Sequence, residues 1–446
     1  MPPVRTGIAA VSAALVASLR GEHLIHAYTH ANAHDFVWHQ RQKPYDLIVY
    51  QIGNSSHHDY IWPYLLRYPG LTVLHDAHLH HARAAALLRT KRAQDYRIEF
   101  AANHPDANPD LAELAVAGFD SHLYYLWPMT RLVVEASKVT AVHTPALAAV
   151  LRADYPAARI EAIRLAHGET IPAGRARDAR IRVRDRHAIP HDTIVFGVFG
   201  GVTPEKRIPQ ILDALIDVLA YAPNARLLLA GTTAEHFDAT AAVRDRGLES
   251  QVTMTGYLPD DEALADYLAA CDVSLNLRWP TAREMSGPWL RALAAGLPTV
   301  TTDLAHVADV PSLDPRTWAT RPGSGIRDPG SGTEATEIGA RSDPASRIPH
   351  PVTVAIDILD EDHSLRLAVR RLATDAALRA SLGAGARTYW EQEHSMPRMR
   401  EDYRRVIAAA VAAPAPTPPS PPHLVNDGDR KLKDLLRPFA ITGVLD

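Results

Sequence analysis

The chain alternates short apolar runs with stretches whose apolar side chains recur at helical spacing, and this alternation constrains its fold more than any other feature. In the first half, the apolar runs are residues 47–50, 71–74, 139–142 and 162–165. Strand, loop and helix in repeated order are typical of a parallel sheet with crossover helices. Because ligands bind beyond the carboxyl ends of such strands, we expect the chemistry in the polar residues that follow them.

The same alternation restarts after residue 190. The predicted strands of this second unit are residues 194–199, 226–230, 252–255, 273–277 and 298–301. Its first helix carries an apolar stripe made of Ile208, Ile211, Leu212, Leu215 and Leu219. We therefore predict two doubly wound α/β domains, and helices resume in the pattern at about 363–383 and 386–411.

Shifts in composition divide the chain further, since polar, Arg-rich and Gly/Ser/Pro-rich segments are typical of linkers and surface loops. The predicted units are a first domain (1–168), a linker (169–190), a second domain (191–385) with a flexible insertion (321–350), a helix returning towards the first domain (386–412), and a Pro-rich linker and tail (413–446). Within the tail, residues 431–439 fit a short amphipathic helix, although a partner contact or disorder explains them better.

The charge balance and the single cysteine exclude several classes of protein. The chain has 446 residues with 47 Lys and Arg against 51 Asp and Glu, so it has no general electrostatic reason to bind nucleic acid. Its one cysteine, Cys271, cannot form an internal disulfide, which favours a reducing, cytoplasmic location. Residues 7–19 are apolar but too short for a membrane span, and an amphipathic helix explains them better than a signal peptide.

The strongest local motif is the segment GGVTPEKR at residues 200–207, which follows a predicted strand and opens a helix. A pair of glycines lets a bulky ligand approach the backbone, and free amides at the start of a helix attract anions. Lys206 and Arg207 add two cations at the same place. These features predict a diphosphate site, and the alternative is a solvated first turn with an exposed lysine.

A second motif, RWPTAREMSGPW at residues 278–289, lies between a predicted strand and a predicted helix. The Glu284 carboxylate could accept hydrogen bonds from sugar hydroxyls, and the amides of Met285, Ser286 and Gly287 could face a phosphate. The alternative is an ordinary helix start, in which Glu284 favours the helix dipole. The segment by itself supports both interpretations equally.

Taken together in order and spacing, these segments resemble the donor domain of the retaining family-four glycosyltransferases. The matching pieces are GGVTPEKR, LLLAG, VTMTGYLPDDEALADYLAACDVSLNL and EMSGPWLRALAAGLPTVTTD, joined in the first half by TGIAAVS, YQIGN and LHDAHLHH. The resemblance covers most of residues 7–312 and the helix near 390–403. It implies the GT-B fold, in which two facing Rossmann-like domains enclose a cleft.

The resemblance also implies roles for particular residues. Lys206 would contact the donor diphosphate, Glu284 would contact hydroxyls of the donor sugar, and His75 would lie near the transferred sugar. The remaining positions would line the phosphate, nucleobase and acceptor loops; they are Gly7, Gly200, Gly201, Arg207, Gly256, Tyr257, Leu258, Met285, Ser286, Gly287 and Arg291. No metal and no other cofactor is implied.

Three departures from the family pattern affect these roles. The second glutamate of the family's pair is replaced by Arg291, one residue closer to Glu284, so Arg291 either turns to a phosphate or forms a structural ion pair. Gly201 stands where the family has an arginine, and the candidates to replace its charge are Arg207 and Arg278. Only residues 1–6 precede the loop at Gly7, so the first strand of the family is expected to be missing. Either the start of the sequence is truncated or misassigned, or the first sheet has one strand fewer.

The expected activity is transfer of a sugar, with retention at the anomeric carbon, from a nucleotide sugar to a hydroxyl of a glycan, lipid or small molecule, as in cell-envelope polysaccharide synthesis. Peripheral contact with a membrane stays open. The alternatives are a non-catalytic GT-B scaffold that binds sugars or partners, and a nucleotide-sugar 2-epimerase, which needs paired carboxylates. A dinucleotide-dependent oxidoreductase is disfavoured because no G-x-G-x-x-G with a downstream acid follows a strand.

Histidines and aromatic residues crowd the first domain. His75, His78, His80 and His81 lie close together in sequence, but no cysteine or carboxylate pattern completes a zinc site, so a His-rich active-site lip or plain surface is favoured. Four aromatic residues could line an acceptor cleft, although a role in the core is favoured; they are Tyr60, Tyr124, Tyr125 and Trp127.

Overall fold

The computed structural model describes residues 7–119, 122–321, 350–418, 420–425 and 435–439. Its first domain is built on a parallel sheet of four strands, in the order β1-β2-β3-β4. The strands are β1 (Val49–Ile52), β2 (Leu71–Leu74), β3 (Val139–Val142) and β4 (Ile160–Ala162). The helices around them are α1 (Gly7–Leu19), α2 (Ala33–Gln42), α3 (Ile61–Arg67), α4 (His80–Leu88), α5 (Ala93–Asn103), α6 (Asp110–Val116), α7 (Leu123–Leu126), α8 (Arg131–Ala136) and α9 (Pro145–Asp154).

The second domain is built on a sheet of eight strands, in the order β11-β10-β12-β9-β8-β5-β6-β7, in which only the β10–β11 pair is antiparallel. The strands are β5 (Val195–Phe199), β6 (Arg226–Ala230), β7 (Val252–Met254), β8 (Val273–Asn276), β9 (Thr299–Thr302), β10 (Ser312–Leu313), β11 (Thr320–Arg321) and β12 (Thr353–Ile356). The helices of this domain are α10 (Ala173–Arg186), α11 (Ile208–Leu219), α12 (Ala239–Arg244), α13 (Asp261–Ala270), α14 (Gly287–Ala294), α15 (Glu361–Thr374) and α16 (Ala376–Glu393). Two further helices, α17 (Met396–Ala412) and α18 (Pro422–Val425), pack against the first domain.

The predicted helix over residues 7–19 is present as α1, and its apolar face is buried against the first sheet and α17 through Val11, Leu15 and Leu19. Residues 1–6, on which the prediction of a missing first strand depends, lie outside the described residues. The same is true of residues 322–349 of the predicted insertion and of 431–434 in the tail. None of the described helices combines the length and the apolar character that a membrane crossing requires.

The segment predicted as a linker, residues 169–190, contains a regular helix, α10, which packs against α13. The polar composition of the segment did not predict this packing. An arginine can bury its aliphatic stem while its guanidinium group donates hydrogen bonds to nearby acceptors. Arg184 is fully buried, donates to the carbonyl of Ala270 at 3.1 Å and pairs with Asp272 at 2.8 Å. A sequence with few apolar residues therefore still forms part of the second domain's packing.

The helical region near the C-terminus is divided differently from the prediction. Asp375 separates α15 from α16 and accepts a hydrogen bond from the amide of Leu378 at 2.8 Å, as an N-cap residue does. The next break falls at His394 and Ser395, so that α17 begins at Met396. The predicted helices 363–383 and 386–411 thus correspond to three helices.

Helix α17 lies against the first domain, although it follows the second domain in the chain. Its Asp402 accepts two hydrogen bonds from the Arg164 guanidinium, at 2.7 and 2.9 Å, and one from the Arg164 amide at 2.9 Å. The hydroxyl of Tyr403 lies 3.2 Å from the side-chain nitrogen of Gln51. One apolar cluster joins both domains to this helix, so the two halves of the cleft have a common base.

We expect Asp402→Asn to lower the free energy of unfolding by about 1–3 kcal/mol, because the charge-assisted bonds to Arg164 are weakened in a part-buried site. Urea denaturation measures this change. Glu401→Gln is the matched control, since the Glu401 side chain is 62% exposed on the same helix and should change little. Equal effects of the two substitutions would contradict a special role for the Arg164–Asp402 pair.

Candidate active site

Two cavities meet at the carboxyl edge of the second sheet. The first, called the sheet cavity, has a volume of about 330 Å³ and is lined in part by Phe199, Lys206, Met285 and Ser286. The second, called the interdomain cavity, has a volume of about 380 Å³. Its lining residues are Asn54, Asp76, His81 and Tyr125 of the first domain and Arg278, Pro280, Ala282 and Glu284 of the second. Arg278 and Glu284 line both cavities, so the two spaces adjoin at this pair.

The loop after β5 holds Lys206 beneath its backbone. Gly200 has a φ of +80°, and a Cβ at this position would lie only 3.1 Å from Lys206 Nζ and 3.1 Å from Pro288 Cγ. The ammonium group of Lys206 donates to the carbonyl of Phe199 and lines the sheet cavity. A Cβ at Gly201 would make only ordinary contacts, at 3.9 Å from Thr203 and from the carbonyl oxygen of Thr232. Glycine is therefore needed at 200 both for the turn and for room above the lysine.

Removal from water lowers the pKa of Lys206 to about 7, and the neighbouring charge of Arg278 acts in the same direction. Glu284 raises the pKa but does not offset these effects. The lysine is consequently a mixture of charged and neutral forms near neutral pH. An anion brought into the cavity would favour the charged form, which is a property that a phosphate site can use.

The carboxylate of Glu284 is held at both oxygens. Arg278 Nε lies 2.7 Å from its Oε1, and the Thr281 hydroxyl donates to its Oε2 at 2.9 Å. The Glu284 side chain is 17% exposed. This geometry fixes the carboxylate at the junction of the two cavities, where it can accept hydrogen bonds from hydroxyl groups in either.

The start of helix α14 closes one side of the sheet cavity. Ser286 is its N-cap and accepts from the amide of Trp289, while Met285 and Ser286 line the cavity. Space beside Gly287 is tight, since a Cβ there would lie 3.1 Å from the ring of His167. Two of the three predicted residues, Met285 and Ser286, thus line the cavity beside the start of α14, where the positive end of the helix dipole lies.

Two of the predicted phosphate-site arginines point elsewhere. Arg207 has left-handed backbone geometry, with a φ of 60°, and pairs with Glu361 on α15, its Nε lying 2.7 Å from the carboxylate. Arg291 donates to Asp261 at 2.8 Å and to His167 at 2.9 Å. Of the two interpretations of Arg291, the structure shows the ion pair. Arg278, the alternative to Arg207, is the arginine that lines the cavities.

The loop predicted to lie by a nucleobase follows β7, the last strand of the sheet. Gly256 has a φ of +68°, Tyr257 is 58% exposed, and Leu258 packs beside α13. None of the three is among the described residues that line the two cavities. The nucleobase role of the loop that contains Gly256, Tyr257 and Leu258 stays a prediction. Gly7, which was predicted to lie in the loop over the phosphate and the acceptor, begins α1 and is exposed.

His75 ends β2, as predicted, but its ring lies behind the wall of the interdomain cavity. The residue is 8% exposed. His143 Nδ1 lies 3.0 Å from the carbonyl oxygen of Ile163, and His143 Nε2 lies 3.0 Å from His75 Nδ1. The other ring nitrogen of His75, Nε2, lies 2.8 Å from Oε1 of the Gln51 side chain. Burial holds the pKa of His75 well below its usual value, so the ring is neutral and supports the loop from behind.

The side chain that this loop presents to the cavity is Asp76, which is not among the predicted site residues. Its Oδ2 accepts from the amide of Asn54 at 2.7 Å. Burial and the nearby charge of Glu284 raise the pKa of Asp76 to about 7. The available signal is its position directly after a predicted strand, where the chemistry of a parallel sheet is expected.

The other histidines and aromatic residues mostly belong to the core. His80 contacts the Tyr96 hydroxyl at 2.8 Å and the carbonyl of Trp127 at 2.6 Å. Tyr60, Tyr124 and Trp127 pack against apolar clusters, as favoured, whereas Tyr125 lines the interdomain cavity. Within the described ranges, no three His, Cys, Asp or Glu residues are placed to hold a metal ion.

With this geometry established, comparison with known proteins identifies the fold. WaaG, a glycosyltransferase involved in lipopolysaccharide biosynthesis, superposes with a TM-score of 0.53 at 15% identity, over 90% of this chain and 96% of that one. Anabaena HepE in complex with UDP-glucose gives a TM-score of 0.48 at 11% identity, over 81% and 99% of the two chains. The chain has the GT-B fold, with two Rossmann-like α/β domains.

The second domain also has relatives in sequence. Residues 193–319 match the family model described as glycosyl transferases group 1. A 2-deoxystreptamine glucosyltransferase of Streptomyces kanamyceticus is 28% identical over 130 residues, which are 29% of this chain. The match spans 33% of that relative's length. The matched segment of the family model contains Lys206, Arg278 and Glu284.

Proposed function

We propose that the protein is a retaining glycosyltransferase, which moves a sugar from a nucleotide-diphosphate sugar to a hydroxyl group of an acceptor. The observation that carries the proposal is the convergence of Lys206, Arg278 and Glu284 at the carboxyl edge of the second sheet. This convergence falls inside the segment that matches glycosyl transferases group 1. Two cations and one fixed carboxylate are the groups that a sugar diphosphate requires.

In the proposed reaction, the bond between the anomeric carbon and the phosphate oxygen breaks, and its electron pair leaves with the nucleoside diphosphate. Lys206, Arg278 and the amides at the start of α14 stabilise that charge. The acceptor oxygen bonds to the anomeric carbon from the same face, and its proton passes to an oxygen of the leaving phosphate. Glu284 orients the sugar by accepting from its hydroxyls.

The cations of the chain itself would neutralise the leaving diphosphate, so the proposal includes no metal ion. We expect EDTA to leave the rate of donor turnover unchanged. Release of nucleoside diphosphate from a panel of nucleotide sugars, with and without EDTA, measures this. Because the sequence relative is a glucosyltransferase, nucleotide-linked glucose is the first donor to test. Loss of activity with EDTA and its recovery with a divalent cation would contradict the metal-free site.

The same panel separates the proposal from its alternatives. Retention is supported when NMR shows that the new glycosidic bond has the anomeric configuration of the donor. An inverted product would contradict a retaining mechanism. Conversion of the donor to its 2-epimer would support the epimerase instead. A wild-type protein that neither binds nor consumes any nucleotide sugar would support the scaffold.

A further inference from the structure

The interdomain cavity has walls that suit one kind of occupant. Six of its eight lining residues carry polar side chains, and the other two are Pro280 and Ala282. Its volume of about 380 Å³ is in the range of pockets that enclose small molecules. Arg278 and Glu284 form its border with the sheet cavity. An occupant would therefore lie directly beside a donor sugar held by Glu284.

Asp76 is fixed in this wall by the backbone around it. The amides of Ala77 and His78 both donate to the carbonyl of Ala282 at 3.0 Å, which joins the loop after β2 to the opposite domain. Behind the carboxylate, a Cβ at Gly53 would lie 2.5 Å from Ile8 Cδ1 and 3.0 Å from Asp76 Oδ2. The carboxylate accordingly has little freedom to turn away from the cavity.

One oxygen of Asp76 is available to a ligand. Oδ2 accepts from the Asn54 amide, whereas Oδ1 has no hydrogen-bond partner in the described part of the chain. The charged and titratable groups that share the cavity with it are His81, Tyr125, Arg278 and Glu284. Glu284 already has Arg278 and Thr281 as partners. Asp76 therefore differs from Glu284, whose two oxygens both have partners, and its Oδ1 can accept hydrogen bonds on the first-domain side.

We propose that Asp76 positions the acceptor in the interdomain cavity by accepting a hydrogen bond from one of its hydroxyls, and that this acceptor is a small polyhydroxylated molecule of sugar size. This inference rests on the proposed glycosyltransferase function. The charged side chains of Asp76, Arg278 and Glu284 in the lining favour a sugar over an apolar chain, because charged groups are costly to bury against hydrocarbon. Asp76 positions the acceptor, while the leaving phosphate takes the proton of the attacking hydroxyl.

The test compares Asp76→Asn with wild type, using the donor found in the nucleotide-sugar panel. Acceptor probes are methyl glucoside, methyl galactoside and methyl mannoside, with polyprenyl phosphate in detergent as the apolar probe. We expect kcat/KM for the sugar acceptor to fall about 10- to 100-fold, the effect of losing one hydrogen bond to a charged group. The dissociation constant of the donor and the slow hydrolysis of donor by water should change much less than acceptor kcat/KM, because neither involves an acceptor and Asp76 acts on the donor only through its charge.

The substitution is suited to this test because the new amide still offers an oxygen to the Asn54 amide. Asp309→Asn is the matched control, since burial raises the pKa of Asp309 to about 6 and it lies outside the lining of the cavity. It should leave transfer unchanged. Tyr125→Phe provides a second variant within the cavity, with a smaller loss expected in acceptor kcat/KM.

Three results would overturn the inference. They are unchanged acceptor kinetics in Asp76→Asn, transfer to polyprenyl phosphate without transfer to any methyl hexoside, and donor hydrolysis by wild type with no transfer to the sugar probes. Failure of wild type to bind or hydrolyse any donor is a different result, which contradicts the proposed function itself.

Discussion

Replacing Lys206 by methionine is expected to lower the rate of donor turnover by about 10²- to 10³-fold, the usual cost of removing one group that stabilises a developing charge. Methionine keeps the length and apolar stem of the lysine and removes only the ammonium group. Because burial lowers the pKa of Lys206 to about 7, the charged lysine is itself unfavourable in the free protein. The melting temperature of the variant should thus be unchanged or higher.

Lys43→Met is the matched control, because Lys43 is exposed and lies in the first domain. It should leave turnover and melting temperature as in wild type. Steady-state release of nucleoside diphosphate and thermal denaturation measure the two properties. A Lys206→Met protein that is stable and turns over the donor at the wild-type rate would remove this lysine from the reaction. A large loss of stability would instead assign it a structural role.

The second prediction with a large expected effect concerns how the affinity for the nucleotide sugar depends on pH. A bound diphosphate favours charged Lys206, whereas the free site has a pKa of about 7, so binding above this pH requires uptake of a proton. Affinity for the nucleotide sugar should be constant well below pH 7 and fall by about tenfold per pH unit above it. The phosphates of a nucleotide sugar stay ionised throughout, so calorimetric titration between pH 6 and 9 measures the lysine.

The ionisation of Asp76 also contributes to this fall in affinity, and its contribution must be measured separately. Its pKa is raised to about 7 as well, and its ionisation as pH rises would add a negative charge to the cleft and weaken anion binding in the same direction. In Asp76→Asn the fall in affinity should persist, whereas in Lys206→Met the lysine-linked proton uptake should disappear. Binding heats in buffers of different ionisation enthalpy count the proton directly. A wild-type affinity that is flat from pH 6 to 9 would contradict the assignment.

Much of the fold could be predicted from local pattern. The strands at 71–74, 139–142 and 226–230 have their predicted bounds because each is an apolar run between residues that end strands. The first strand begins two residues later than predicted, at Val49, and β4 ends at Ala162, where that strand was expected to begin. The two-residue strands β10 and β11 are too short to give a periodic signal.

The residues of the candidate site also fall into two groups, those whose positions follow from the local sequence and those whose positions depend on distant partners. Lys206 and Glu284 were predictable because each lies within a motif that follows a strand, and neither depends on a distant partner for its place. The directions of Arg207 and Arg291 were not, because Glu361 and Asp261, which hold them, come from other helices. Asp76 gains its position from hydrogen bonds that cross between the domains, and a local pattern does not contain these.

Thermal stabilisation by a panel of nucleoside diphosphates and their sugars tests the central claim most directly, measured with and without EDTA on wild type and Lys206→Met. A ligand at about 100 times its dissociation constant adds about 2.7 kcal/mol to the free energy of unfolding. We predict that one nucleotide stabilises wild type, that EDTA changes nothing, and that Lys206→Met reduces the effect. If no nucleotide stabilises the wild-type protein, the donor site, and with it the transferase, is contradicted.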